Sequence, residues 1–412
     1  MLKEECFSFG RASVVGLAML AAGGVGTANA QDTVTLGSLS AVTGPIAGLV
    51  EPIVAAEQFA VDQINEQGGI LGGATLELVV ADGQCDPTAA VDAAQKLVHV
   101  DRVTAIVGGI CSGETVAAAE AVAIPAGVVM VSPASTSPAI TDLDDNDLVF
   151  RTTPSDAYQG VVLAEISRDL GYERVALTYT NDDYNAGLGE VFREAFTEMG
   201  GEVVSEQMHE PGQASYRSEL SSLAEGDPEA LVIFAYYDGA GITMMRQSLE
   251  AGQFDKFVGA DGMVHADVVS QLGADSLRGN VHFTTSAQDV DASQFQAFAD
   301  AMQEHGVDAD PAGPYISRGY DAAWLLALAI EHAGSADREG ISESLRAVAS
   351  SPGEIVGPGE WERAVQLLAE GQDIQYIGAA GAHEFDENGD VSGLYSLNTI
   401  EDEDRFVTEI MN

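Results

Sequence analysis

Apolar positions along the chain fall into short continuous runs that alternate with stretches of helical spacing. The runs at 34–40, 75–81, 103–109 and 128–132 are β-rich and bounded by turn residues, so they predict strands. Helical spacing fills 52–64, where Gly68-Gly69 stops it, and 114–122; between them Asp86-Pro87 opens a further helix, with Asp as N-cap and Pro at the first helical position. The segment 135–151 breaks this rhythm with a loop-like composition and an acidic turn at 142–147, and leads into a second lobe. There the alternation restarts, with strands at 174–179, 202–207, 230–236 and 257–259 and helices at 187–199, 216–224 and 242–251. Beyond about Val281 helices are predicted at 293–305, 316–333, 338–349 and 361–369, followed by a turn- and strand-like tail from about His383. Strands alternating with helices predict an α/β chain with doubly wound parallel sheets, in two lobes.

Residues 1–30 read as an export signal rather than structure. Lys3 and Arg11 flank the start, an apolar run covers 12–22, and Ala28-Asn29-Ala30 forms a small-x-small cleavage site. Cys6 precedes the apolar run, so it is not a lipid-attachment cysteine at the cleavage point. Cleavage would leave 382 of the 412 residues, a length that suits two compact lobes. The longest later apolar stretch, 322–330, falls far short of the ~18 residues that span a bilayer. The expectation is therefore an exported, soluble protein with no direct membrane insertion.

Charge narrows the partners. With 65 acidic against 17 basic residues the net charge is −48, which would repel nucleic acid and anionic lipid. The acids are dispersed and 46% of residues are hydrophobic, so a folded chain with a solvated acidic shell is expected. Cys85 and Cys111 are the cysteines left after cleavage. In an exported chain an even pair favours a disulfide over two buried free thiols, closing a loop of about 27 residues worth ~3–4 kcal/mol.

Catalytic constellations are missing from the sequence. It has no Walker loop, no Gly-x-Ser-x-Gly elbow and no His-Glu-x-x-His. Gly187-Leu188-Gly189 lacks a third glycine and reads as a helix start, and His383 beside Glu384 reads as surface rather than as a metal ligand. The segment 386–390 resembles the opening of a calcium loop, but Val391 and Leu397 occupy the positions where such a loop needs Gly and an acid, so a tight turn around Asn388-Gly389 is expected. No metal, no cofactor and no enzymatic activity are expected.

Polar groups cluster instead at predicted strand ends, where open α/β sheets bind ligands. Cys111-Ser112-Gly113 and the run 132–136, with Ala134, Ser135 and Thr136, follow two strands of the first lobe. Tyr184, Tyr236-Tyr237-Asp238 and Asp261 follow three strands of the second. Each alone is a common cap or turn residue. Together they set hydroxyls against aromatics and a carboxylate, which suits a small zwitterion.

These segments resemble the branched-chain amino acid (leucine/isoleucine/valine) binding proteins of ABC transporters. The resemblance runs from about Thr33 to the C-terminus through the motifs at 39–45, 60–65, 68–70, 82–87, 111–113, 132–138, 150–152, 184–187, 246–247, 319–322 and 385–390. It implies the type I periplasmic binding protein fold, two lobes joined by a hinge around a ligand cleft. On that fold the lobes are expected to comprise 31–151 with 282–382, and 152–281 with 383–412. It also implies that Ser112 and Thr136 bind a ligand carboxylate, that the Ala134 carbonyl and Asp261 hold its ammonium, and that Tyr184 and Tyr237 close over it. Cys111 and Ser135, in the same loops, and Leu49 are likewise expected among the ligand-binding residues, and Cys85–Cys111 matches the family's disulfide. The family's usual acid is Glu, so Asp261 keeps the charge with one methylene less, and Leu49 stands near the place where some relatives carry an aromatic. The implied function is capture of an apolar amino acid for an inner-membrane ABC permease. Capture of an amide, urea or aromatic acid, or ligand sensing for a signalling partner, are the alternatives.

Overall fold

A computed structural model of the protein describes residues 33–401 and 405–411; the leader expected over 1–30 lies outside them. The first sheet contains β1 (Thr33–Ser40), β2 (Thr75–Asp82), β3 (Ala105–Gly108), β4 (Met130–Ser132) and β5 (Val149–Arg151), in the order β2-β1-β3-β4-β5. All its pairings are parallel. β6 (Arg174–Thr180), β7 (Glu202–His209), β8 (Ala230–Phe234), β9 (Phe257–Gly259) and β10 (Val281–Ala287) pair in parallel in a second sheet. A small sheet of β11 (Glu354–Val356), β12 (Ile374–Gly378) and β13 (Gly381–Ala382) sits apart. The second sheet ends on β14 (Leu394–Thr399) and β15 (Val407–Ile410), both antiparallel to their neighbours, so its order is β15-β14-β10-β9-β8-β6-β7.

Burial follows from composition. β8 reads ALVIF and all five side chains are buried, as in a parallel strand covered on both faces. The helix Ile316–Ala333 is apolar nearly all round and is buried without interruption from Ile316 to Ile330. It packs beside the helix Ala47–Glu66 in the first core, with Trp324 edge-on to Trp361. Asp86 caps its helix as expected, accepting from the Ala89 N–H at 2.8 Å with Pro87 at the first position.

Several expectations are corrected. The first helix begins at Ala47 rather than at 52, with Pro52 inside it. Gly187 and Gly189 lie within the helix Asp183–Glu198, whose start is set by Asp182 accepting from the Asn185 N–H. His383 is buried, not on the surface, because its Nε2 meets the Asp321 carboxylate at 2.9 Å. The lobe boundaries also move. β10 belongs to the second sheet, so the chain returns to the first lobe after Ala287 and not at 282; Phe385 and Val391 still pack in the first core, so the last crossing falls near 391–393 and not at 383.

Two buried arginines tie the crossings together. Arg151 grips Asp390 through Nη2 at 2.8 Å and donates to the Ser137 carbonyl at 2.9 Å. Arg318 bridges the carbonyls of Thr152 and Ala287, at the first and second crossings. The turn at 386–390 is as tight as expected, with the Gly389 N–H donating to the Asp386 carbonyl, and it presents Asp390 to Arg151.

Candidate functional site

Between the sheets lies a cavity with about 470 Å³ of empty space when counted out to its solvent mouth. Its apolar part is Ile46, Leu49, Ile53, Ile110, Ala134 and Pro314; its polar part is Ser112 and Thr136, facing Tyr184, Asp261 and Tyr315. The strand-end rule places most of these groups, since β3 and β4 lead into the loops of the first wall and β9 leads to Asp261.

Hydrogen bonds set the direction of the first wall. The Ser112 hydroxyl accepts from the Ser137 N–H at 3.2 Å, so its own hydrogen is available to an acceptor in the cavity. Ser135 does not line the cavity: its hydroxyl donates to the carbonyls of Gly109 and Ile110 at 3.0 and 3.1 Å, so it braces the two loops from behind. Cys111 is bonded to Cys85, with a Cα–Cα distance of 5.4 Å, and lies in the outer vestibule rather than in the inner cavity. Buried Glu114 underpins this corner, accepting from the N–H groups of Cys85 at 2.8 Å and Cys111 at 3.0 Å. Burial pushes its carboxyl up to about 7, against the pull of those hydrogen bonds.

The second wall carries a carboxyl group, that of Asp261. Asp261 is almost wholly buried; Gln159 donates to Oδ2 at 2.8 Å and the Ser286 N–H to Oδ1 at 3.1 Å. Tyr184 adds a longer contact to Oδ2 at 3.4 Å. Burial raises its pKa, opposed first by the hydrogen bonds from Gln159 and Tyr315. Behind Thr136 lies a second buried acid, Asp156, also raised, by burial and then by the charge of Asp261. The site therefore holds two carboxylates close enough to repel each other in a desolvated setting.

Tyr237 is a misplaced expectation. It is Tyr236 that faces the cavity and stacks on Tyr184 at 5.5 Å, whereas Tyr237 stacks on His265 at 4.0 Å outside it. Also missed were Ile46, Ile53 and Ile110, and the pair Pro314-Tyr315, which enters from the segment before the helix Ile316–Ala333.

The lobes touch across the mouth. The Ser137 hydroxyl donates to the Asp183 carbonyl at 2.9 Å. A Cβ on Gly187 would lie 3.1 Å from that hydroxyl oxygen, and one on Gly48 would lie 3.2 Å from the Tyr237 hydroxyl. Neither glycine has positive φ, so the contact between lobes, not the backbone, accounts for the missing side chain. Among the described residues no cluster of three His, Cys, Asp or Glu is placed to hold a metal, and no helix is long and apolar enough to cross a membrane.

Comparison with known proteins agrees with this architecture. Residues 33–371 match the model of a family described as periplasmic binding protein. A leucine-, isoleucine-, valine-, threonine- and alanine-binding protein of Pseudomonas aeruginosa is 30% identical over 80% of this chain and 86% of its own length. A chemotactic signal transduction system substrate-binding protein of Halobacterium salinarum is 28% identical over 84% of this chain and 82% of its own. Among solved structures, a leucine-binding protein of Thermotoga maritima superposes with a TM-score of 0.76 at 27% identity, covering 92% of this chain and 99% of that one.

Proposed function

The chain belongs to the periplasmic binding protein family, and from that premise we propose that it captures a branched-chain or other apolar amino acid between its lobes and delivers it to an ABC permease. The carrying observation is the cavity itself: hydroxyls on one wall, the buried carboxyl of Asp261 on the other, and a flank of Ile46, Leu49, Ile53 and Ile110. A zwitterion matches the polar part and an aliphatic side chain the apolar part.

In this reading Ser112 donates to the ligand carboxylate. Thr136 joins it at the carboxylate, the Ala134 carbonyl and Asp261 receive the ammonium, and Tyr184 and Tyr236 cover the ligand. Ser135, Cys111 and the disulfide hold the first wall in shape, and Tyr237 acts at the mouth. The lobes swing about the crossings clamped by Arg151 and Arg318, and the closed form, with its touching rims, is what the permease recognises. The protein binds and does not catalyse. It works in the periplasm, reached through cleavage of the leader after Ala30. An amide or aromatic acid gives Asp261 no cation to meet, which weighs against those ligands.

The chemotactic relative supports a second output for the same cleft, in which the closed form docks on a receptor. Co-purification with a permease or with a receptor separates the two.

The ammonium assignment is tested by Asp261→Asn, which keeps shape and removes charge. Losing a charge-assisted hydrogen bond costs ~1.5–3 kcal/mol, so L-leucine affinity should fall about tenfold to 100-fold by calorimetry. Unchanged affinity would remove Asp261 from that role, and no amino acid binding by the wild-type protein would remove the reading as a whole.

A further inference from the structure

A second cavity lies at the crossings, away from the cleft. It has about 900 Å³ of empty space counted out to its solvent mouth, against about 470 Å³ for the cleft on the same measure. One part of its wall is the second and third crossings, with Ala287, Val391 and Leu394; the other is the β12–β13 hairpin of the first lobe. Asp321 anchors that hairpin, accepting from the N–H groups of Ala379 and Ala380 at 2.8 Å each. Capture of an amino acid in the cleft makes no use of this space.

Two buried side chains of the lining each keep a nitrogen without a partner. Arg318 is 3% exposed; its Nη atoms donate to the carbonyls of Thr152 and Ala287, and its Nε–H has no acceptor. Burial pulls its pKa down, and it feels the charges of Asp321 and Asp261 without bonding to either. Asp321 is already taken by Tyr376, His383 and the two hairpin N–H groups. His383 is 1% exposed; its Nε2 meets Asp321 at 2.9 Å, and its Nδ1 has no partner. Beside that carboxylate the ring can carry hydrogen on both nitrogens, which makes Nδ1 a second donor. A buried cation without an ion pair is costly, and an anion in the cavity can offset that cost. Asp289, an exposed acid of the same lining, is screened by solvent.

The rest of the lining selects among anions. Ile377, Val391 and Leu394 give it apolar wall, which a bare halide would leave uncovered. We infer that this cavity is a second ligand site, that it takes a small organic carboxylate whose oxygens accept from Arg318 and His383, and that its occupant favours the closed form. The coupling follows from position. Arg318 joins the first and second crossings, and the third passes through the cavity wall. The cavity has this shape in the form whose rims touch, so an occupant that fits it stabilises that form. The coupling rests on the reading of the cleft as an amino acid site; the carboxylate site does not.

The probe is trifluoroacetate, followed by fluorine NMR line broadening with L-leucine present in excess to occupy the cleft. The wild type should broaden the signal saturably, with a dissociation constant near millimolar. Ala382 is an exposed residue of the lining. Ala382→Glu sets a like charge there and should weaken the probe at least about tenfold, whereas Ala382→Gln, of the same size, should stay within about threefold of wild type. Ser392→Trp, at another exposed lining position, should obstruct the cavity and remove the broadening. Both positions are exposed, so the unfolding midpoints should stay near that of the wild type. In calorimetry, saturating trifluoroacetate should tighten L-leucine about fivefold or more in the wild type and leave it unchanged in Ala382→Glu. No saturable broadening, equal weakening by Glu and Gln, or undiminished broadening in Ser392→Trp overturns the carboxylate site. Saturable broadening with L-leucine affinity unchanged or weakened overturns the coupling. Failure of the wild type to bind any amino acid, with the Glu and Gln variants still differing toward trifluoroacetate, overturns the reading of the cleft and leaves the second site standing.

Discussion

Glu57 should make the protein lose stability as the pH rises, and Glu57→Gln should abolish that loss. Glu57 lies one turn beyond the cavity-lining Ile53 in the helix Ala47–Glu66 and is fully buried. One oxygen accepts from the Ser38 hydroxyl at 2.6 Å and the other has no partner. Burial pushes the carboxyl from 4.5 to about 8, against the opposing pull of Ser38. Between those values the folded state holds a proton that the unfolded chain has released. The native state then binds more protons, so stability falls as pH climbs through this window and stays low above it. At ~1.4 kcal/mol per pH unit the whole effect is about 5 kcal/mol, of which about 3 kcal/mol falls between roughly pH 5.5 and pH 9. Glutamine keeps the shape and cannot ionise. Urea unfolding followed by tryptophan fluorescence should therefore show the variant gaining about 3 kcal/mol on the wild type between these two conditions. The other raised acids are common to both proteins and cancel in the difference. A difference that stays the same at both pH values, within about 0.5 kcal/mol, would refute the buried proton.

Glu114→Gln should have the opposite sign near neutral pH. One of the N–H groups of Cys85 and Cys111 loses its acceptor, at a cost of ~1–3 kcal/mol in the same unfolding assay. Gly187→Leu should separate affinity from stability. The side chain would enter the contact with Ser137 and Pro138 and hinder closure, weakening L-leucine about tenfold to 100-fold. The same change should leave the unfolding midpoint level or higher, because glycine in a helix interior costs ~0.5–1 kcal/mol relative to Ala. Equal affinity in wild type and variant would remove the rim contact from the closing motion.

The periodicity of the chain carried the alternation of strands and helices, because a buried parallel strand and an amphipathic helix leave different patterns. It missed the short β5 and the helix Asp156–Asp169, where the crossing between lobes interrupts the rhythm and only Ser155 as an N-cap marks the start. The strand-end rule reached Ser112, Thr136, Tyr184 and Asp261, since each directly follows a strand or opens the next helix. It could not reach Tyr315, which arrives from the crossing segment, nor Ile46 and Ile53, whose orientation depends on where the first helix begins. Tyr236 and Tyr237 are adjacent and chemically identical. Which one faces the cavity depends on the turn after β8, and sequence does not specify that turn. Nothing near His383 in the chain signals its burial, because its partner, Asp321, is 62 residues away.

The most direct test of the account is isothermal titration of residues 31–412, unfolded and refolded beforehand to strip any carried ligand, against the twenty amino acids with acetamide, urea and benzoate. The account predicts saturable binding of leucine, isoleucine or valine near micromolar, about −8 kcal/mol, and none of the amides or benzoate. Binding confined to amides, or to acids without an amine, would contradict it.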